Sequence, residues 1–481
     1  LEANHDYETD LEIVDSWWYQ APAYLNIDLR DYDIDIVKED NDYYIPLYLA
    51  NLLLSGEYSN VYETPDKLII FDDPEDIDLL IEDMIKETDP YEANIVKHTK
   101  NFTTLLLNHF YGLRKHKNIS DYKNVLDELN YDDITSITDL QYKQNELILY
   151  LDDLHTSIYS YGYKNDGYEP IIPDVLPDKI DQFYEALSNY ECLPREGMTL
   201  LDFDEGYLLK VYDFSLDTKT LFEELKSEIN PYKPLYIDLR CNTGGMLTGV
   251  LDLFPYLTND TFTLHTKTPL SNIRISRVYD YPEDIALSND IYLLTSEVTF
   301  SAANLFTSLF RQEEIGTIIG TDTSGGACAI AFTVLPDSSI LIYSSHFAMT
   351  DASYQLIEDG LSPDIYTVEA YGLKDPLEFI EALFNDNFDY QLTDTHDGLS
   401  IELQLDYISN NPSVSVNSYT VQLFDPTTNL LLSEDTYNTN SFNTVYNLNR
   451  ELNIKIQVNF AYNGHELTIY LQEEITVRSN N

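Results

Sequence analysis

A short apolar strand running straight into a serine and then a helix constrains this chain more than any other stretch. Ile291-Tyr292-Leu293-Leu294-Thr295 reads as the strand, Ser296 to Asn304 as the junction, and Leu305, Phe306, Leu309 and Phe310 recur at helical spacing. Ser301 therefore stands at a helix N-terminus, where unpaired backbone N–H groups favour developing negative charge. That position suits a nucleophile whose attack creates an oxyanion. It also suits a plain N-cap, a common use of serine, and this segment alone does not separate the two.

Flanking segments extend the pattern. Gly206 to Val211 reads as a strand, Leu221 to Ile229 as an amphipathic helix, and Leu235 to Leu239 as a second strand interrupted only by Asp238. Strand, helix, strand at this spacing is a right-handed crossover, hence an α/β core. Tyr236-Ile237-Asp238-Leu239-Arg240-Cys241-Asn242-Thr243-Gly244-Gly245 ends that strand in a glycine turn. Ile318-Ile319-Gly320-Thr321-Asp322-Thr323-Ser324-Gly325-Gly326 enters another, and Ile357-Glu358-Asp359-Gly360-Leu361-Ser362-Pro363-Asp364 follows. Gly244 and Gly245 read either as a plain turn or as a place where backbone N–H groups aim at a developing charge. Upstream, Asp153-Leu154-His155-Thr156 follows an apolar segment and offers a candidate general base. His98, His109 and His116 have no acidic cluster at ligand spacing and read as surface or packing residues.

The ordered set resembles the C-terminal-processing (tail-specific) serine peptidase family. That family's pattern is Asp-Leu-Arg-x-Asn-x-Gly-Gly, then Ser-Ala-(Ala/Ser)-Glu, Gly-x-x-Thr-x-Gly and Gly-x-x-Pro-Asp. The resemblance runs from Leu147 to Phe379. It implies a crotonase-like (ClpP-type) α/β protease core and a serine endopeptidase acting on a protein or peptide substrate, without metal or cofactor. Ser301 takes the place of the nucleophile, and Gly244, Gly245 and Ala302 take the places of the oxyanion hole. The family's usual Ser/Lys dyad is missing: Gly326 occupies the lysine position, and no lysine lies between Ser301 and Lys374. What remains resembles the tricorn-core and retinoid-binding branches, which implies His155 as base and Glu358 as its steering carboxylate. Leu154 stands where those branches carry a second hydroxyl, for which Thr156 or Ser157 are substitutes, and Asn304 replaces a glutamate. There is no room for an inserted PDZ module. Because the retinoid-binding branch is non-catalytic, the alternative is an inactive member that binds a peptide or ligand at its surface. The bacterial relatives imply an extracellular or cell-envelope location.

Composition bounds the rest. Against 84 acidic residues stand 27 basic ones, a net charge of −57, which repels nucleic acid and anionic membrane surfaces and favours solubility. No apolar run reaches the length of a membrane span. Cys192, Cys241 and Cys328 cannot all pair internally and lack metal-ligand spacing, so few or no disulfides are expected. The chain does not open with a methionine or a signal peptide, and a mature, trimmed form is the expectation. A mainly helical N-terminal region is expected ahead of the core. Residues 1–75 read as a small α+β module with strands at Ile34–Val37 and Lys67–Phe71 around a helix at Ile45–Leu54. Residues 76–195 read as helical, ending in the His155 segment and a connector, 196–390 as the catalytic core, and 391–481 as an immunoglobulin-like β-sandwich. If such an appendage is a targeting module, deleting the residues after about Thr393 is expected to leave cleavage of a short peptide nearly unchanged. Oligomeric state is not legible.

Overall fold

Six short strands form the sheet that carries the Ser301 segment. In this computed structural model they lie in the order Met198–Asp202, Tyr207–Val211, Leu235–Asp238, Ile291–Thr295, Thr317–Gly320 and Ile365–Tyr366. All neighbours are parallel except the first pair. The structure describes residues 11–19, 26–54, 59–63, 67–71, 93–160, 176–190, 192, 196–203, 206–271, 273–367, 388–397, 400–409, 414–428, 431–438, 441–447, 451–462, 464–471 and 475–477. Both faces of this sheet are covered, which is why its strands are continuously apolar rather than alternating. Leu209, Ile237, Leu293 and Ile318 point into a core shared with the helices, while Leu208, Tyr236, Tyr292, Leu294 and Ile319 point the other way.

The described helices are α1 (Leu47–Leu54), α2 (Ala93–His109), α3 (Tyr122–Glu128), α4 (Ile137–Leu151), α5 (Asp178–Asn189), α6 (Thr218–Lys226), α7 (Leu247–Leu253) and α8 (Ala302–Gln312). α6 makes the crossover between the strands Tyr207–Val211 and Leu235–Asp238, and α8 the one between Ile291–Thr295 and Thr317–Gly320. A second, antiparallel sheet runs Glu12–Tyr19, Ile273–Asp280, Phe262–Thr268, Ile340–Thr350, Cys328–Val334, with Ser157–Tyr159 also paired to Ile340–Thr350. α1 to α4 pack on it, joining Phe102, Leu105 and Leu140 to Ala331, Tyr343 and Ala348. The approach is close at Gly112, where a Cβ would meet Ser345 O at 1.9 Å.

The N-terminal module departs from expectation. Ahead of the strands expected in residues 1–75 lies a further one, Glu12–Tyr19, which joins the second sheet with Trp17 paired opposite Ser276. As a largely exposed edge strand it carries no alternating apolar signal. Ile34 does not begin a strand: its side chain is buried among the helices, and the strand starts at Val37, in a hairpin with Asp42–Tyr44. The start of the region expected to be helical, residues 76–92, and the end of the expected core, residues 368–387, lie outside the described residues. The cysteines stay within expectation: Cys192 and Cys241 form one disulfide, leaving Cys328 as a buried free thiol. His98 and His109 lie against Tyr48 and Tyr32, and His116 against Asp359.

The described strands of the tail lie in two antiparallel sheets. One holds Phe388–Asp397, Ser400–Ser409 and Ser441–Asn447; the other holds Val414–Phe424, Leu431–Tyr437, Leu452–Tyr462, His465–Tyr470 and Ile475–Val477. It is no loose appendage. Val421, Ile454, Ile456, Val458 and Leu467 share one buried cluster with Leu208, Tyr236, Tyr292, Leu294 and Ile319. The tail thus supplies the second cover of the parallel sheet.

Candidate active site

Three turns meet at the carboxyl edge of the parallel sheet, the place where crossover topology leaves a crevice. They follow the strands Leu235–Asp238, Ile291–Thr295 and Thr317–Gly320. Hydrogen bonds weld the first two together: Ser296 Oγ donates to Arg240 O (2.6 Å), Thr299 Oγ1 to Leu239 O (2.8 Å) and Phe300 N–H to Asn242 O (3.2 Å). Arg240 is itself held by its buried pair with Asp238 (2.8 Å). The third turn joins through Ser301 N–H, which donates to Gly325 O (2.8 Å).

Ser301 does not cap its helix by its side chain. Its backbone sits at φ 52°, ψ −119°, a region that costs a non-glycine residue about 1–3 kcal/mol and is met mainly at functional sites. The hydroxyl instead meets an imidazole: His155 Nε2 lies 2.9 Å from Ser301 Oγ. His155 follows α4, whose C-terminal Asp152 is left-handed at φ 43° and turns the chain toward the sheet. Asp153 then fixes the segment, accepting His155 N–H (3.0 Å) at Oδ1, and Thr156 Oγ1–H (2.5 Å) and Tyr111 O–H (3.1 Å) at Oδ2. The imidazole packs on the Phe300 ring at 4.5 Å between centroids, and Phe183 of α5 backs that ring. Its Nδ1 has no hydrogen-bond partner among the described residues. Loss of hydration pushes the His155 pKa below its ordinary 6.5, against the charges of Asp153 and Glu358 and with that of Lys179. The ring is therefore neutral at pH 7, the form that accepts a proton. Burial pushes the Asp153 carboxyl up, but the nearby imidazole and the hydrogen bonds bring it net below its usual value, so it stays ionised.

Gly244 and Gly245 differ in what their amides do. Gly244 N–H already donates to Asn242 Oδ1 (2.8 Å). Gly245 bridges to Phe214 through its neighbours, since Phe214 N–H donates to Gly244 O and Met246 N–H to Phe214 O. Neither Gly245 N–H nor Ala302 N–H has an acceptor among the described residues. Both glycines adopt positive φ (116° and 124°), and a Cβ on Gly244 would stand 2.7 Å from Ser301 Cβ. The turn is therefore pressed against the nucleophile segment, where only glycine fits.

Glu358 is close by but does not touch the imidazole. Its Oε1 accepts from Lys179 Nζ (2.7 Å) and its Oε2 from Ala327 N–H (2.8 Å), and no hydrogen bond joins it to His155. Its charge nonetheless acts on the imidazole, raising the His155 pKa. Leu154 spends its side chain packing with Val298 and Phe300. Asn304 is fully buried, donating to Ile357 O (2.8 Å) and accepting from Thr323 Oγ1 (2.6 Å), so it ties α8 to the Glu358 segment. Gly326 has φ 86°, and a Cβ there would lie 2.4 Å from the Phe300 ring, so this turn has no space for the side chain of a lysine. Among the described residues no group of three or more His, Cys, Asp or Glu is placed to hold a metal ion. None of their helices is long and apolar enough to cross a membrane.

Asp153, Lys179 and Phe300 enter the site without having been singled out. Asp153 and Phe300 stood inside segments already of interest, whereas Lys179 lies in a connector helix and carries no local signal.

A serine on a strained strand-to-helix junction, 2.9 Å from a neutral imidazole, is an arrangement suited to nucleophilic attack by the hydroxyl. The particular family follows from the chain itself: residues 206–367 match the model of peptidase family S41, so the chain carries a domain of that family. Among solved structures it is similar to mature CPAF, at 11% identity and TM-score 0.44 over 60% of this chain and 97% of that one. It is similar to a lipoprotein from Streptococcus agalactiae (15%, TM-score 0.39, 60% and 96%). It also resembles the photosystem II D1 C-terminal processing protease (17%, TM-score 0.31, 36% of this chain), of whose length it spans about half, 49%.

Proposed function

We propose that this chain is a serine endopeptidase that cleaves protein or peptide substrates by attack of Ser301, with His155 as the base, in a crotonase-like core. The observation that carries the reading is the 2.9 Å contact between His155 Nε2 and Ser301 Oγ, made by a serine whose backbone is strained for it. Nε2 takes the hydroxyl proton as Oγ attacks the carbonyl carbon, then delivers it to the leaving amine. Gly245 and Ala302 N–H receive the oxyanion, and Gly244 serves by close approach rather than as a donor. Glu358 and Asp153 bias the imidazole by charge. The Cys192–Cys241 disulfide, whose kind persists in oxidising surroundings, supports a place outside the cytoplasm. A fluorophosphonate probe tests the reading: wild type is expected to be labelled on Ser301, and Ser301→Ala to lose both labelling and peptide hydrolysis while keeping its circular dichroism. Unchanged turnover in Ser301→Ala would remove the serine from the mechanism.

A further inference from the structure

We propose that Lys179 is a positioning residue for this site, holding the Glu358 carboxylate away from the imidazole and balancing its charge there. The inference rests on the peptidase reading and deepens it. Lys179 lies in the first turn of α5, which Asp152 ties directly to the base segment by accepting Lys179 N–H (3.3 Å) and Ile180 N–H (3.1 Å). Its ammonium reaches across to Glu358 and binds it twice, at Oε1 (2.7 Å) and at the backbone O (3.0 Å).

The Glu358 side chain is only 4% exposed and the Lys179 side chain 23%, so this is a pair with one deeply desolvated partner. Such a carboxylate is fixed by its donors rather than by water. With Oε1 on Lys179 and Oε2 on Ala327 N–H, the two oxygens are held by groups other than His155. The arrangement explains why Nδ1 of His155 has no hydrogen-bond partner among the described residues, although a buried carboxylate stands nearby.

The charges that act on His155 come from three elements: Asp153 on its own segment, Glu358 on the 357–364 segment and Lys179 on α5. Phe300, the ring packed on it from the nucleophile side, is uncharged. Lys179 and Glu358 therefore act as one pair of opposite sign, and removing either member unbalances the field in opposite directions. A helix that merely packs has no such signature.

The test is the rate of fluorophosphonate labelling of Ser301 as a function of pH. Lys179→Met leaves Glu358 unbalanced, so the acid limb is expected to move to higher pH. Glu358→Gln leaves Lys179 unbalanced, so the limb is expected to move to lower pH. The double variant is expected to return it toward the wild-type position, and Lys179→Arg, which keeps the pair, to stay there. Should Lys179→Met fail to fold by circular dichroism, the opposed behaviour of Glu358→Gln and the double variant decides the matter. Variants that lower the rate while leaving the limb in place overturn the role of Lys179 and leave the peptidase reading standing. A wild-type chain unlabelled at every pH sinks both.

Discussion

At the residue scale, the proposed chemistry turns on the protonation of one ring. His155 is partly surrounded by carboxylates, which alone would raise its pKa, yet loss of hydration outweighs them and the net direction is down. Its neutral form is the active one, so activity should persist below the ordinary imidazole value of 6.5 before the acid limb falls. A limb in kcat/KM centred above 6.5 would contradict this balance. Removing the Asp153 charge by Asp153→Asn takes away a contribution that raises the value, so the limb should move further toward low pH. The rate should drop as well, because the amide cannot accept from Tyr111, Thr156 and His155 N–H together. Gly245 offers a second test. A methyl there would lie 2.1 Å from Phe214 O at φ 124°, so Gly245→Ala displaces the turn that carries the donor. Losing one such donor costs about 10²–10³ in kcat, and steady-state kinetics on a short peptide would read it.

At the element scale, α8 and α5 do different work. α8 carries Ser301 at its N-terminus and is anchored by Asn304, whose amide bridges Ile357 O and Thr323 Oγ1 in a fully buried setting. Asn304→Leu strips partners from both, which should cost about 2 kcal/mol or more in denaturant unfolding. Restoring the family's glutamate at Asn304 would put a buried charge beside a backbone carbonyl, a substitution expected to destabilise further. α5 is held at its start by Asp152 and just past its end by the disulfide to Cys241, three residues before the Gly244–Gly245 turn. That bridge spans a sequence separation of 49, for which loop-closure entropy gives about 4 kcal/mol. Replacing both cysteines by serine should lower the unfolding temperature accordingly. An unchanged melting curve would show that the bridge does not constrain the unfolded chain.

At the scale of the whole molecule, the parallel sheet needs both of its covers. Its far face carries Leu208, Tyr236, Tyr292, Leu294 and Ile319, and the tail buries them. Deleting residues 388–481 is therefore expected to expose a broad apolar surface, giving a chain that aggregates or binds a hydrophobic dye. A truncated chain that stays monomeric, folded and active would show that the contact is dispensable. The acidic surface adds little to the field at His155: exposed groups are hydrated and screened, which leaves the buried charges to set the local field.

Local pattern was enough for whatever each segment does with its own neighbours in the chain. The doubly apolar runs at Leu235–Leu239 and Ile291–Thr295, the serine at the junction and the glycines after the strand were legible because burial and turn geometry act within a few residues. Glu358 was legible as a site residue, but its partner was not. Tertiary structure alone brought His155 to Ser301 across 146 positions, Lys179 to Glu358 across 179, and the tail onto the sheet. Those meetings depend on how two sheets and a connector helix pack, and no residue's intrinsic preference records which distant surface will cover it. The lysine absent from the family's usual position is a case in point: the ring of Phe300 fills that space, and the cation near the site comes from another helix, committed to a carboxylate rather than to the serine.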